Sequence, residues 1–169
     1  MIFKVDKSLR KIIIGHTGYI GSFLLKEIVK EDDCILGISR TKSHLKYKAK
    51  NKNFLEIESD IFKDNISEEL NFKAKPTIYI CAHNLQTDFT QRRKNLNFVY
   101  HSNRNFYINF VNNIKKFNPG KLIFLSSGGS LYSNAKASSP SDEGSIINPV
   151  SEYGLSKFIL ENFLINFSK

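Results

Sequence analysis

Residues 11–21 change character within a few positions. Ile12-Ile13-Ile14 forms an apolar, β-branched run, and Gly15-His16-Thr17-Gly18-Tyr19-Ile20-Gly21 follows without a gap. Beyond it, Phe23, Leu24 and Ile28 recur at helical spacing over residues 22–30. A β-branched run over residues 11–15, a glycine turn and an amphipathic stretch read as strand, tight turn and helix. A chain that starts this way is constrained to bury a strand and lay a helix back across it.

The rest of the chain repeats that alternation. Short apolar runs at residues 34–38, 54–57, 76–82 and 121–125 read as four more strands. Between them, residues 41–52 are polar and basic, a loop or weak helix, and residues 65–71 form a short helix or turn. Residues 95–117 carry Phe98, Val99, Phe106, Ile108, Phe110, Val111 and Ile114 on a long helical pattern that Pro119-Gly120 stops. Residues 132–150 are rich in Ser, Pro, Gly and Asn, a length of loop that usually serves function. A last helix starts near Ser151 and carries Tyr153, Lys157, Phe158, Leu160 and Leu164 to the end. Five strands separated by helices predict an α/β fold with a doubly wound parallel sheet, Rossmann-like, in the order 3-2-1-4-5. That order puts the glycine loop at the topological switch point, where ligands bind.

Composition narrows the function classes. At 169 residues, 41% hydrophobic and 24% charged, the chain reads as one soluble domain over residues 1–169. No apolar run approaches the ~20 residues that span a bilayer, and residues 1–11 lack a signal-peptide pattern, so a cytoplasmic location without membrane attachment is expected. Cys34 and Cys81 each fall inside an apolar run, as buried free thiols would in a reducing compartment. The histidines (His16, His44, His83 and His101) show no ligand spacing, so no metal site and no other role is assigned to them. A net charge of +9 suggests a nucleic-acid partner, but 20 lysines against 5 arginines, scattered along the chain, argue against one. Small anionic ligands such as nucleotide cofactors and sugar nucleotides are the partners such a field favours.

Within the glycine loop, Gly15 permits the turn out of the strand, Gly18 lets backbone approach a pyrophosphate and Gly21 lets the helix pack closely. Thr17, Tyr19 and Ile20 complete the loop and the helix start, whose free N–H groups and dipole attract phosphate. Downstream stand the serines Ser126 and Ser127, and then Tyr153-Gly154-Leu155-Ser156-Lys157 on the last helix. Tyr153 and Lys157 are four apart on a helix and share a face. A tyrosine hydroxyl, ordinarily titrating near ~10, is a poor base at neutrality, and a neighbouring ammonium stabilises its phenolate.

The G-x-x-G-x-x-G loop, the serine pair and the Tyr-x-x-x-Lys motif, in this order, resemble the extended short-chain dehydrogenase/reductase family, which includes sugar-nucleotide epimerases and dehydratases. The resemblance runs the length of the chain but covers only about the N-terminal half of a typical member. It implies NAD or NADP as cofactor. Where many NAD-binding members carry an acidic residue after the second strand, this chain has Ser39-Arg40, and an arginine beside a hydroxyl suits a 2′-phosphate, so NADP is favoured. By the same resemblance Asp60 and Ile61 contact adenine, Ala82 leaves room for the cofactor, and Asn103 occupies the family's asparagine position. Tyr153 then exchanges a proton with a substrate hydroxyl while hydride moves to or from the nicotinamide, and Lys157 holds the nicotinamide ribose. Asn148-Pro149-Val150-Ser151-Glu152 resembles the family's entry into this helix, and Glu143 its acidic loop residue. The third catalytic member, a Ser or Thr past the fifth strand, is assigned to Ser127, with Ser130 and Ser126 behind it; counting back from Tyr132 instead lands on Gly128.

Family members continue past this helix with two more strands and a smaller substrate-gripping domain, which this chain is expected to lack. Two classes of function follow. One is an NAD(P)-dependent epimerase, dehydratase or reductase acting on a nucleotide-linked sugar for surface polysaccharide. The other is a truncated, non-catalytic NAD(P)-binding module or regulator. The resemblance also implies a homodimer through the helices containing Asn103 and Tyr153.

Overall fold

The computed structural model describes residues 9–29, 34–42, 54–66, 75–84, 96–132, 140–149 and 151–168. Most of the polar stretch 41–52, residues 67–71 of the expected short helix or turn, and the middle of the 132–150 loop lie outside these residues.

Two compact units divide the chain. The first comprises residues 1–82 and 109–125 and holds the whole sheet. Its strands are β1 (Leu9–Ile14), β2 (Cys34–Ser39), β3 (Phe54–Glu58), β4 (Thr77–Ile80) and β5 (Lys121–Phe124), parallel, in the order β3-β2-β1-β4-β5. Register is set by runs of partners such as Ile13↔Gly37, Gly37↔Glu56, Ile13↔Tyr79 and Tyr79↔Ile123. The fold is Rossmann-like, with the strand order that the alternation predicted.

Helix α1 (Tyr19–Ile28) begins three residues before the expected 22–30 pattern, because Gly18 takes the N-cap position and Gly21 falls inside the first turn. Its Leu25 and Ile28 pack with Ile13, Ile35 and Phe54 in one buried cluster. Each such side chain contributes about 1.5–3 kcal/mol when fully buried. Helix α2 (Leu96–Lys116) gives its last turns to this unit, where Phe110 stacks on Phe62 at 4.4 Å. It ends ahead of Pro119: Asn118 turns left-handed at φ 45°, a conformation asparagine tolerates, while Lys115 and Lys116 complement the helix dipole.

A buried asparagine organises the turn after β3. Asn113 donates to the carbonyls of Ile61 and Asp64 at 2.9 and 2.8 Å and accepts from the Ile66 amide at 3.1 Å. Backbone groups that leave a strand without a ladder partner need such satisfaction when buried.

The second unit comprises residues 83–108 and 126–169. It contains α4 (Glu152–Phe167), capped by the Ser151 hydroxyl, which accepts from the Gly154 amide at 3.0 Å. It also contains α3 (Gly128–Leu131), a four-residue helix that the run of serines and glycines did not announce. The Asn148 amide donates to the Leu131 carbonyl at 2.9 Å and so fixes the approach to α4. Tyr107 is fully buried against Phe163, with ring centroids 5.8 Å apart.

Candidate active site

In the first unit the glycine loop has the geometry its spacing implied. Gly15 lies at φ +84°, and a Cβ there would meet Ala82 at 2.9 Å. Ala82 is thus the small residue against which the loop closes. A Cβ on Gly21 would lie 2.2 Å from the Gly15 carbonyl oxygen, so α1 approaches the loop as closely as backbone allows. The loop is tied by the Gly15 amide to the Ile38 carbonyl at 2.7 Å and by the Gly18 amide to the Gly15 carbonyl at 3.0 Å. The α1 N-terminus has no side-chain cap and no acidic residue in its first turn, leaving an electropositive end suited to an anion. Tyr19 and Ile20 are exposed at the start of α1, and the Tyr19 ring stands edge-on to Phe23 at 5.3 Å.

The other expected contacts in this unit divide by what their side chains already do. Ser39 is buried and donates its hydroxyl to the Thr41 carbonyl at 2.7 Å, whereas Arg40 is exposed. Lys42, also exposed at this strand end, lies 3.8 Å from Glu58. Asp60 accepts from the Phe62 amide at 3.2 Å, while its own amide is held by Asp64 at 2.7 Å. Ile61 is buried.

In the second unit, α4 carries Tyr153 and Lys157 on one face. The Lys157 ammonium lies 5.7 Å from the centroid of the Tyr153 ring. Tyr153 is 44% exposed and Lys157 only 6%, so the phenol reaches solvent above a sheltered cation. Between them, buried Ser156 donates to the Tyr153 carbonyl at 2.8 Å. Its oxygen also meets His83 Nε2 at 2.8 Å, and because the Ser156 proton is already committed, His83 is the donor. The His83 ring stands edge-on to Tyr153 at 5.9 Å. Burial first, and the Lys157 charge second, push its pKa down from 6.5 to about 4, so the imidazole is neutral at physiological pH. Tyr107 also stacks on His83 at 6.4 Å and donates its hydroxyl to the Ser156 carbonyl at 3.4 Å, and burial pushes its phenol up to about 12.

Among the three candidate serines, Ser126 donates to Glu161 at 2.9 Å and Ser130 donates to the Ser127 carbonyl at 3.2 Å. Ser127 sits at the N-cap of α3 with no capping hydrogen bond from its side chain, so among the described residues its hydroxyl is the uncommitted one of the three. Asn103 is fully buried and donates to the Val99 carbonyl at 3.0 Å.

Sequence reasoning missed His16, Glu56, His83 and Ser156. His16 and Glu56 form a buried pair at 2.7 Å. The available signal for His16 was its place inside the glycine loop, next to a strand end. No grouping of His, Cys, Asp and Glu that could hold a metal occurs among the described residues. None of their helices is long and apolar enough to cross a membrane.

Comparison with known proteins places the fold and the family. Residues 12–169 match the NAD dependent epimerase/dehydratase family. A Methanocaldococcus jannaschii protein named "Putative UDP-glucose 4-epimerase" is 30% identical over 159 residues, which are 90% of this chain and 49% of that one. Among solved structures, the Thermotoga maritima UDP-glucose 4-epimerase with UDP-glucose is similar at a TM-score of 0.68 and 23% identity, over 95% of this chain and 51% of the other. The Bacillus cereus UDP-glucuronic acid 4-epimerase in complex with NAD gives 0.71 and 19%, over 94% and 52%. The chain thus spans about half the length of the relatives it matches. It belongs to the NAD dependent epimerase/dehydratase family.

Proposed function

We propose that this chain serves an NAD(P)-dependent epimerase, dehydratase or reductase acting on a nucleotide-linked sugar. The observation that carries the reading is the Lys157 ammonium 5.7 Å from the Tyr153 ring, with both residues on one helix and the tyrosine open to solvent. The glycine loop takes the dinucleotide pyrophosphate: Gly15 turns away from β1, Gly21 brings α1 close, and the uncapped N-terminus faces the anion. Thr17, Gly18, Tyr19 and Ile20 contribute backbone amides there, Asp60 and Ile61 border the adenine, and Ala82 makes room for the cofactor. Arg40 pairs with a 2′-phosphate, which favours NADP over the NAD seen with solved relatives.

The bound nicotinamide supplies the hydride acceptor and donor. Tyr153 moves a proton to or from the sugar hydroxyl at its phenol oxygen, as general acid and base. Lys157 stabilises the phenolate and holds the cofactor ribose. Ser127, whose hydroxyl makes no capping bond among the described residues, donates to the substrate oxygen, and Asn103 supports this helix pair from within. Nucleotide-linked sugars feed surface polysaccharide assembly from the cytoplasm, and that is the setting we assign. A homodimer through α2 and α4 fits the exposure of Ile165 near the end of α4.

Incubation of the chain with UDP-glucose and either dinucleotide, followed by NMR of the sugar, tests the reading. Conversion of the sugar that disappears in Tyr153→Phe supports it. Dinucleotide binding with no conversion of any nucleotide sugar would replace it with the non-catalytic binding module.

A further inference from the structure

We propose that His16 and Glu56 are positioning residues of the dinucleotide loop, holding it from beneath in its binding conformation. The inference rests on the reading of that loop as the pyrophosphate site. His16 is the second residue of a turn, where a polar side chain would ordinarily face solvent, yet it is fully buried. Its Nε2 lies 2.7 Å from Glu56 Oε1, and both side chains are 0% exposed. Nδ1 is buried with no hydrogen-bond partner among the described residues, so the bond to Glu56 orients the ring.

The sheet is built to admit this ring. Gly37 of β2 and Glu56 of β3 are register partners, so the position beside the carboxylate is a glycine. A Cβ at Gly37 would lie 2.8 Å from His16 Cγ and Nδ1. The Phe54 ring closes another side, edge-on at 5.7 Å. Loop, β2 and β3 therefore meet at one imidazole.

The consequence runs to the anion site through the backbone. A Cβ on Gly21 would also come within 3.0 Å of His16 Cα, so the first turn of α1 rests on the His16 main chain. Fixing the side chain below fixes the Cα on which the helix N-terminus sits. A loop held in its bound shape loses less freedom when it binds, and affinity rises accordingly. A carboxylate partner makes this tether stronger than a neutral hydrogen bond.

The test is a titration of the full chain with NADH and NADPH, read by cofactor fluorescence, with circular dichroism and melting temperature recorded for each variant. His16→Ala is expected to raise Kd about tenfold, the scale of one charge-assisted hydrogen bond. Gly37→Ala, which pushes on the ring, should do the same. Adding Gly37→Ala to His16→Ala should then cost less than about twofold more, because the imidazole it would strike is gone and the Phe54 ring, 2.9 Å from that Cβ, can yield into the vacated space. Glu56→Gln, which can still accept from the imidazole, should bind within about threefold of the parent, and Glu56→Ala should not. Where His16→Ala does not fold, Gly37→Ala and Glu56→Gln carry the comparison. Folded His16→Ala or Gly37→Ala variants with the parent Kd would overturn the proposal, as would full additivity of the two. Failure of the unmodified chain to bind either dinucleotide would overturn the reading of the loop itself, and the proposal with it.

Discussion

His16 and His83 are both imidazoles drawn into the interior, one in each unit, but they keep different company. His16 meets a carboxylate in a closed space behind the glycine loop, with both side chains 0% exposed. His83 meets a hydroxyl, with a lysine ammonium nearby, beside a tyrosine that reaches solvent. A carboxylate partner favours a tether. A hydroxyl partner and a neighbouring cation favour a neutral ring, which leaves Lys157 as the cation beside Tyr153. The same residue type would thus serve rigidity in the unit proposed to grip the dinucleotide and charge economy in the unit proposed to do chemistry.

Each half of that contrast can be broken separately. The largest effect belongs to the second unit: Tyr153→Phe should lower kcat by about 10²–10⁴-fold, the usual worth of a general acid–base. Equilibrium titration should find its dinucleotide Kd within a few-fold of the parent. In the first unit, Gly21→Ala drives a methyl group onto the Gly15 carbonyl and should destabilise the fold by about 3 kcal/mol in urea unfolding, besides weakening dinucleotide binding.

The contrast between the histidines sharpens under acid. His83 titrates near 4 when folded against 6.5 when unfolded, so the unfolded chain takes up its proton first. Stability contributed by the neutral ring is intact above pH 6.5 and is lost as pH falls from there to about 4, by up to about 3 kcal/mol. Urea midpoints measured across that range should fall less steeply in His83→Gln than in the parent. Asn113→Ala should cost about 2 kcal/mol, since two carbonyls and one amide lose their partner. Ser126→Ala removes one exposed hydrogen bond to Glu161 and should change stability by less than about 1 kcal/mol, with no effect on turnover if Ser127 is the reacting serine.

Much of the fold was legible because its signals are local. Apolar runs, the glycine loop and Pro119-Gly120 mark strand and helix ends, and Ser151 ahead of Glu152 marks the start of α4. Tyr153 and Lys157 were legible because a spacing of four places both on one helical face. The supporting residues were not, because their contacts are long-range: His16 and Glu56 stand 40 positions apart, and His83 and Ser156 stand 73 apart. Their meeting depends on the β2–β3 register and on the packing within the second unit, neither of which periodicity reports. The commitments of Ser126 and Ser130, which single out Ser127, likewise exist only after folding.

The most direct test of the central claim is a calorimetric titration of the chain and of Arg40→Ala with NADPH and NADH. One-to-one binding of NADPH that weakens selectively in the variant is the predicted result. Equal binding of NADH in both proteins would keep the loop and remove Arg40 from recognition. Saturable binding of neither dinucleotide would contradict the account.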